Sequence, residues 1–214
     1  MTWQAVTFIT EGTGYVREVE RLKASAVVCA VPLKVYSYPN AGAWRANLNY
    51  KSQTILTAFD EFPGQDIVFI DADAIIRSYP TLFDMLSSEG RYDIAVHFLR
   101  DVELLSGTIW LRNNDEARAI VRRWHDMGRQ LPSQRHQRCL QLALQAMVAG
   151  GDRPLVYRLP IEYTCIFDHP LRRGKAAVIE HFQASRKYRR VINLRPMRRR
   201  PSGPFKFIDP RRMR

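Results

Sequence analysis

The sequence predicts an α/β protein with a mostly parallel, doubly wound, Rossmann-like sheet that has helices on both faces. Segments typical of strands and helices alternate along the first 70 residues. The third strand segment, Asp66–Ile70, is almost entirely apolar, as expected of a strand covered on both faces. The length of 214 residues, with 46% apolar and 25% charged residues, is ordinary for a globular protein with a substantial core.

Each of these segments has its own local signals. The strands are short β-branched or aromatic runs bounded by turn residues. The first helix is expected to keep Val16, Val19, Leu22 and Ala26 on one face, and the second to keep Ile55 and Leu56 inward. The order of segments is the one that gives a parallel sheet with crossover helices. The expected elements are a strand at 5–9, a helix at 15–30, a strand at 34–38, a helix at 51–59 and the strand Asp66–Ile70.

Two carboxylates, Asp71 and Asp73, follow directly after the third strand. Ligands bind beyond the carboxyl ends of strands in open parallel sheets, and side chains two apart in an extended chain point the same way. Oxygen ligands suit Mg²⁺ or Mn²⁺, and such an ion could compensate the charge of a departing diphosphate. The alternatives are solvated loop acids or a helix cap. The position of the two aspartates directly after a buried strand favours the metal site over these alternatives.

The charge is concentrated at the C-terminal end. Residues 171–214 contain 15 Lys and Arg against 2 acidic residues, whereas residues 1–170 contain 18 against 19. A basic segment on a nearly neutral body indicates attraction to a polyanion, although it could also be a solvated tail. We therefore predict a domain at 1–190 and a basic C-terminal extension at 191–214.

Other classes of protein are not indicated. No apolar run has the length of a membrane span, and the N-terminus lacks the pattern of a secretory signal. The cysteines, Cys29, Cys139 and Cys165, are odd in number and lack metal-ligand spacing, which favours reduced thiols in a cytoplasmic protein. The glycines near residue 12 are not followed by the Lys-Ser/Thr of a P-loop.

Several blocks resemble, in order, the GT-A glycosyltransferases, the nucleotide-diphospho-sugar transferase superfamily, over most of residues 5–190. The run DADAII after VFI resembles the family's metal-binding Asp-x-Asp motif. The segment HFQASRK at 181–187 resembles the late block in which a His completes the metal shell and a Lys reaches the diphosphate. The resemblance implies a metal site of Asp71, Asp73 and His181, with Lys187 on the diphosphate.

The same resemblance implies the donor site. Residues 8–15 resemble the region that receives the nucleotide base, and LSGTI at 105–109 resembles the lining of the sugar pocket. Two positions depart from the family, since His136 replaces an Asp and Ala184 stands where Gly is common. The implied donor-binding residues are Thr10, Tyr15, Lys51, Asp71, Ser106, Gly107, Gln137 and Lys187.

The implied reaction transfers a sugar from a nucleotide-diphosphate sugar, with a UDP-sugar expected, to a hydroxyl group. Mn²⁺ or Mg²⁺ would be the cofactor. The catalytic candidates are Asp73, Glu103 and His136. An inverting route needs a general base, for which Glu103, His136, Glu162 and Asp168 are candidates, whereas a retaining route needs none.

The basic segment bears on the acceptor. We expect DNA with a hydroxymethylated base, of the 5-hydroxymethylcytosine type, in a phage-like modification system, because arginines track phosphates. Tyr188 or Phe182 could hold a base turned out of the stack. One alternative is a polysaccharide or lipid-linked acceptor at an anionic membrane surface, with peripheral contact only. Another is a nucleic-acid-binding module without catalytic activity.

Overall fold

The structure is a computed structural model that describes residues 2–170 and 174–192, with side chains up to residue 188. Its strands are β1 (Trp3–Thr10), β2 (Leu33–Tyr38), β3 (Asp66–Ile70), β4 (Ala74–Ile76), β5 (Ile94–Leu99), β6 (Glu103–Leu111), β7 (Val156–Arg158), β8 (Cys165–Ile166) and β9 (Ile179–His181). Its helices are α1 (Tyr15–Val28), α2 (Trp44–Leu48), α3 (Tyr50–Glu61), α4 (Thr81–Glu89), α5 (Asp115–Gln130), α6 (His136–Ala149) and α7 (Ser185–Ile192), with a 3-10 turn at Ile161–Thr164.

Six strands form a large sheet in the order β2-β1-β3-β6-β5-β7. The pairs β1–β2, β1–β3 and β5–β7 are parallel, and β6 is antiparallel to both of its neighbours. Every strand of this sheet except β6 therefore runs in the same direction. The expectation of a mostly parallel α/β sheet is confirmed, while the reversed strand β6 was not expected.

The large sheet is covered on both faces. Alternate residues of β3 point into two separate apolar clusters, with Ile67 and Phe69 in one and Val68 and Ile70 in the other. The first cluster includes residues of α3, α5 and α6, and the second includes residues of α1 and α4. All four side chains are fully buried. The continuous apolar run of β3 is thus explained by helices on both of its faces.

A second, small sheet has the order β4-β9-β8, with β4 antiparallel to β9 and β8 parallel to it. Strand β4 begins at Ala74, only four residues after β3 ends at Ile70. Ala74 pairs with His181 and Ile166 also pairs with His181. The short connection between the sheets contains Asp71 and Asp73, so the small sheet brings a late segment of the chain to this acidic pair.

The predicted end of the domain at residue 190 falls inside α7, which continues to Ile192. The proposed extension at 191–214 lies almost wholly outside the described residues, as do the densest arginine runs at 195–200 and 210–214. Among the described helices, none combines the length and the apolar character that crossing a membrane would require.

Candidate functional site

The two acidic residues and the late histidine that the sequence singles out lie together. Asp71, Asp73 and His181 each offer a ligand atom, and these atoms lie within 4.8 Å of one another. The backbone fixes the first residue, because the Asp71 N–H donates to the carbonyl oxygen of Gly107 at 2.8 Å. Two carboxylates and an imidazole form a set of ligands that suits a divalent cation.

Asp73 is buried, with 8% of its surface exposed. Its carboxylate accepts a hydrogen bond of 2.6 Å from the N–H of Ala184, and its carbonyl accepts one of 3.1 Å from the N–H of Phe182. Burial, followed by the charge of Asp71, raises the pKa of Asp73 to about 6, although the Ala184 N–H and the Lys51 charge act the other way. The site therefore confines negative charge that a cation would compensate.

Lys51 provides part of that compensation. Its Nζ lies 2.6 Å from the Asp71 carboxylate and donates to the carbonyl oxygen of Ser106 at 2.9 Å. The ammonium group also lies 4.9 Å from the centre of the Phe69 ring. Only 5% of the lysine side chain is exposed, whereas 35% of the Asp71 side chain is. Buried Lys51 thus contacts Asp71 from the protein interior, and part of the Asp71 carboxylate stays exposed.

His181 is held by its neighbours on β6. The ring Nε2 lies 2.9 Å from Thr108 Oγ1, and a Cβ atom at Gly107 would come within 2.9 Å of the ring. Position 107 therefore has to be glycine for the imidazole to fit. Burial lowers the pKa of His181 to about 4, so the ring is neutral. When Nε2 donates to Thr108, the lone pair is on Nδ1, as a metal ligand requires.

A cleft of about 160 Å³ opens beside the two aspartates. On one side it is lined by the end of β1 and the start of α1, including Thr10 and Tyr15. The Tyr15 hydroxyl lies 3.5 Å from the indole nitrogen of Trp44, which also lines the cleft. Burial raises the pKa of the Tyr15 phenol. These aromatic groups form one wall of the cleft, and aromatic faces of this kind can stack on a planar ring.

The far side of the cleft is the start of α6. His136 and Gln137 line the cleft there, together with Ser106. His136 is buried against Trp124, with ring centres 4.5 Å apart, and burial lowers its pKa well below the usual value. Glu103 accepts a 2.6 Å hydrogen bond from Gln137 but does not itself line the cleft.

Other predicted residues lie elsewhere. Lys187 is exposed on α7 and is not part of the cleft lining, where Gln183 and Ser185 of the same segment are found instead. Glu162 contacts Lys175 at 3.2 Å, and Asp168 pairs with Arg186, both outside the cleft lining. The structure therefore does not bring Lys187, Glu162 or Asp168 to the aspartate pair.

Sequence reasoning missed several cleft residues. Trp44 and Asn47 line the cleft from the five-residue helix α2, which is too short to show a periodic pattern. Arg135 lines it from the position just before α6. Thr108, which bonds to His181, lies in the block at 105–109 but was not predicted as a site residue. The Ala184 N–H could have been found only through the fold, because its bond to Asp73 joins residues 111 apart.

No protein-family profile matches the chain, and no curated protein matches it. Solved structures are similar in fold. A glycosyltransferase involved in the glycosylation of the major capsid of PBCV-1 aligns with a TM-score of 0.65 and 16% identity over 87% of this chain and 98% of that one. The glycosyltransferase GlyE of Streptococcus pneumoniae TIGR4 aligns with a TM-score of 0.57 and 16% identity.

The second alignment covers 85% of this chain but only 55% of GlyE, so this chain spans about half the length of that protein. Each alignment extends over more than four fifths of this chain. The chain therefore has a glycosyltransferase fold of the GT-A type.

Proposed function

We propose that this chain is a metal-dependent glycosyltransferase, which moves a sugar from a nucleoside diphosphate sugar to a hydroxyl group. One observation carries the proposal: Asp71, Asp73 and His181 gather within 4.8 Å beside a cleft, in a glycosyltransferase fold. The fold alone would not indicate an activity. The acidic pair at the carboxyl end of β3 adds the chemistry.

The residues present fit Mn²⁺ or Mg²⁺. Asp71 and Asp73 would supply oxygen ligands and His181 a neutral nitrogen, and the raised pKa of buried Asp73 indicates negative charge without a sufficient counter-charge. When bound, the ion supplies positive charge next to the diphosphate and so makes it a better leaving group.

The chain's own residues complete the donor site. Lys51 orients Asp71, and Thr108 orients the ring of His181 through a hydrogen bond with Nε2. Tyr15 and Trp44 form the wall for the base, which we expect to be uracil. The sugar then lies against Ser106 and Gln137, where the acceptor hydroxyl reaches its anomeric carbon. Thr10 and Gly107 are uncharged, and we expect them to contribute backbone groups and space for the donor.

Of the four candidates for a general base, His136 is the one that lines the cleft, although both of its ring nitrogens are buried against the protein. Glu103 holds the start of α6 by accepting a hydrogen bond from the Gln137 side chain. An inverting reaction would use such a base, while a retaining reaction would not, and both fit the arrangement.

For the acceptor, DNA with a hydroxymethylated base remains our preference, in an intracellular modification system of the phage type. The support is the sequence of residues 171–214, with 15 basic residues against 2 acidic ones. A glycan or lipid-linked acceptor on an anionic surface is the competing possibility, because the same arginines would attract either polyanion.

The first experiment measures release of UDP from UDP-sugars with and without Mn²⁺. We expect metal-dependent hydrolysis that falls about 100-fold or more in Asp73→Asn, since a charge-compensating group is worth several kcal/mol in such reactions. Asp152→Asn, an exposed site outside the cleft, is the matched control. Unchanged, metal-dependent hydrolysis in Asp73→Asn would refute the metal role.

The second experiment follows the acceptor. Hydroxymethylated DNA, plain DNA and a neutral glycan are incubated with the donor selected in the first experiment, and the mass of each product is measured. A sugar-sized mass gain on the hydroxymethylated nucleoside alone supports the DNA acceptor. A gain on the glycan alone rejects it and leaves the donor chemistry intact.

A further inference from the structure

The last side chain that the structure describes, that of Tyr188 on α7, lies against the start of α1. Its hydroxyl donates a hydrogen bond of 2.8 Å to Glu18 Oε1, and its ring centre lies 5.4 Å from the ring centre of Tyr15. A Cβ atom at Gly14 would lie less than 3.0 Å from three atoms of the Tyr188 ring. The late segment of the chain is therefore packed tightly onto the start of α1, and this packing requires glycine at position 14.

The backbone itself does not require glycine at position 14. Gly14 has φ −64° and ψ −14°, which lies in the right-handed helical region that any residue adopts. Gly12, in the same loop, differs, because it has φ +69° and open space where a Cβ atom would lie. What glycine provides at position 14 is room for the ring of Tyr188, so the close approach is specific to these two residues.

The same segment approaches the candidate metal site in a similar way. The ring of His181, a candidate metal ligand, lies against Gly107 of β6. The ring of Tyr188, seven residues later in the chain, lies against Gly14, in the connection between β1 and α1. One late segment thus contacts the metal side of the cleft through its first ring and the aromatic wall of the cleft through its second ring.

Tyr15 connects this packing to the cleft. Tyr15 is the first residue of α1 and lines the cleft, whereas Tyr188 does not. The Tyr15 hydroxyl lies 3.5 Å from the indole nitrogen of Trp44, and its ring contacts the ring of Tyr188 at a separation where aromatic rings attract each other. Neighbours that restrain a side chain by packing determine how precisely it can meet a ligand. Tyr188 therefore restrains Tyr15 from outside the cleft.

We propose that Tyr188 is a positioning residue for the donor nucleotide, which holds Tyr15 in the orientation that stacks on the base. This inference rests on the proposed glycosyltransferase function and assigns one further residue to it. Tyr188 then contributes to the affinity for the base, and it does not contribute to the affinity for the metal ion. The base pocket is complete only when α7 is in place.

The test is equilibrium binding by calorimetry. The Kd of Mn²⁺ alone is measured first, then the Kd of UDP, GDP, ADP and CDP in saturating Mn²⁺, and the tightest nucleotide is kept. Tyr188→Ala should raise the Kd of that nucleotide about tenfold, as expected when a base loses a well-placed aromatic contact. It should change the Kd of Mn²⁺ less than about twofold. A general loss of structure at the site would raise both values.

Two further variants define what the ring does. Tyr188→Phe keeps the ring and removes only the bond to Glu18, so the nucleotide Kd should stay within about threefold of the wild-type value. Tyr157→Ala is the matched control, because Tyr157 is also half-buried and contacts another tyrosine ring, that of Tyr92 at 5.0 Å, outside the cleft lining. It should leave both Kd values unchanged.

Gly14→Ala tests the contact from its other side. In the wild-type protein the new Cβ atom displaces the Tyr188 ring, so the nucleotide Kd should again rise about tenfold. In Tyr188→Ala that ring is absent, so adding Gly14→Ala should have less than about a twofold effect. Such non-additivity is expected of two residues that act through one contact.

The outcomes separate this inference from the proposed function. The positioning role is overturned, while the proposed function stands, by an unchanged nucleotide Kd in Tyr188→Ala or by an equal rise in the Kd of Mn²⁺. An equal effect of Gly14→Ala with and without the Tyr188 ring overturns it as well. If no nucleoside diphosphate binds to the wild-type protein in Mn²⁺, the proposed function fails and this inference fails with it.

Discussion

The large sheet and the small sheet bury their central strands by different means. In β3 of the large sheet, the buried residues are the apolar run Ile67, Val68, Phe69 and Ile70. In β9 of the small sheet, two of the three buried residues are titratable, Glu180 and His181. Glu180 accepts from Arg77 at 2.8 and 2.5 Å, and His181 bonds to Thr108.

The two kinds of burial have different consequences for stability and for the candidate site. Apolar burial is non-directional and gives a rigid platform, whereas buried polar groups are stable only with specific partners. The candidate metal site lies where the two sheets meet, with Asp71 fixed by the large sheet through Gly107 and His181 supplied by the small sheet. We expect substitutions of the apolar residues of the large sheet to reduce stability, and substitutions of the polar residues that hold the candidate metal ligands to change metal binding.

The largest effect is expected in the large sheet. Phe69→Ala should lower the free energy of unfolding by about 3–5 kcal/mol, because it opens a cavity under a fully buried ring. Phe167→Ala, next to the small sheet and 38% exposed, should cost less than half as much. Urea unfolding followed by tryptophan fluorescence measures both. Equal losses would contradict the contrast between the sheets.

The ion pair of the small sheet comes next. Arg77→Met should cost about 1–3 kcal/mol, because the Glu180 carboxylate is only 3% exposed and loses two guanidinium hydrogen bonds. Arg186→Met removes a partner of Asp168 at the surface and should cost less than about 1 kcal/mol. The same unfolding measurement compares them, and a larger loss for Arg186→Met would be inconsistent with this account.

Removing a charge from the candidate metal site should stabilise the protein in metal-free buffer. The folded pKa of Asp73, about 6, is above the unfolded value, so its ionisation weakens the fold as pH rises from about 4 to 6. In metal-free buffer at pH 7 we expect Asp73→Asn to gain about 1–3 kcal/mol, and the gain to disappear at pH 4. Thermal unfolding at both pH values measures it; no gain at pH 7 contradicts the raised pKa.

The smallest effect concerns the support of His181. Thr108→Val preserves the shape of a fully buried side chain but removes the bond to Nε2, so the Kd for Mn²⁺ should rise about tenfold with little change in stability. Thr54→Val, an equally buried Thr that bonds to the Tyr38 hydroxyl, is the matched control. Calorimetry with Mn²⁺ measures both, and a similar shift in the two variants would remove the specific role of Thr108.

Much of the large sheet could be predicted, because its signals are local. The apolar run of β3 and the alternation of strands with helices depend on neighbouring residues only. Once the end of β3 is known, the location of the acidic pair at the edge of the sheet is known as well. The reversal of β6 could not be predicted, since strand direction depends on distant pairing. His181 was found only through the resemblance to a family, as an isolated histidine has no pattern.

The start of α7 explains why Ser185, and not the predicted Lys187, lines the cleft. The helix begins at Ser185, so Ser185 and Lys187, two residues apart, face different directions. Ser185 lines the cleft and Lys187 is exposed. Arg135 was missed for a similar reason, because one arginine in a polar loop has no periodicity. Its position depends on where α6 begins in space.

The hydrogen bond from the Ala184 N–H to Asp73 joins residues 111 apart in the chain. During synthesis, Asp73 leaves the ribosome long before its partner exists. The growing chain can thus fold most of its large sheet while it is still unable to hold a cation. The ability to bind a cation at the acidic pair would then arise only once residue 184 has been made and has reached Asp73.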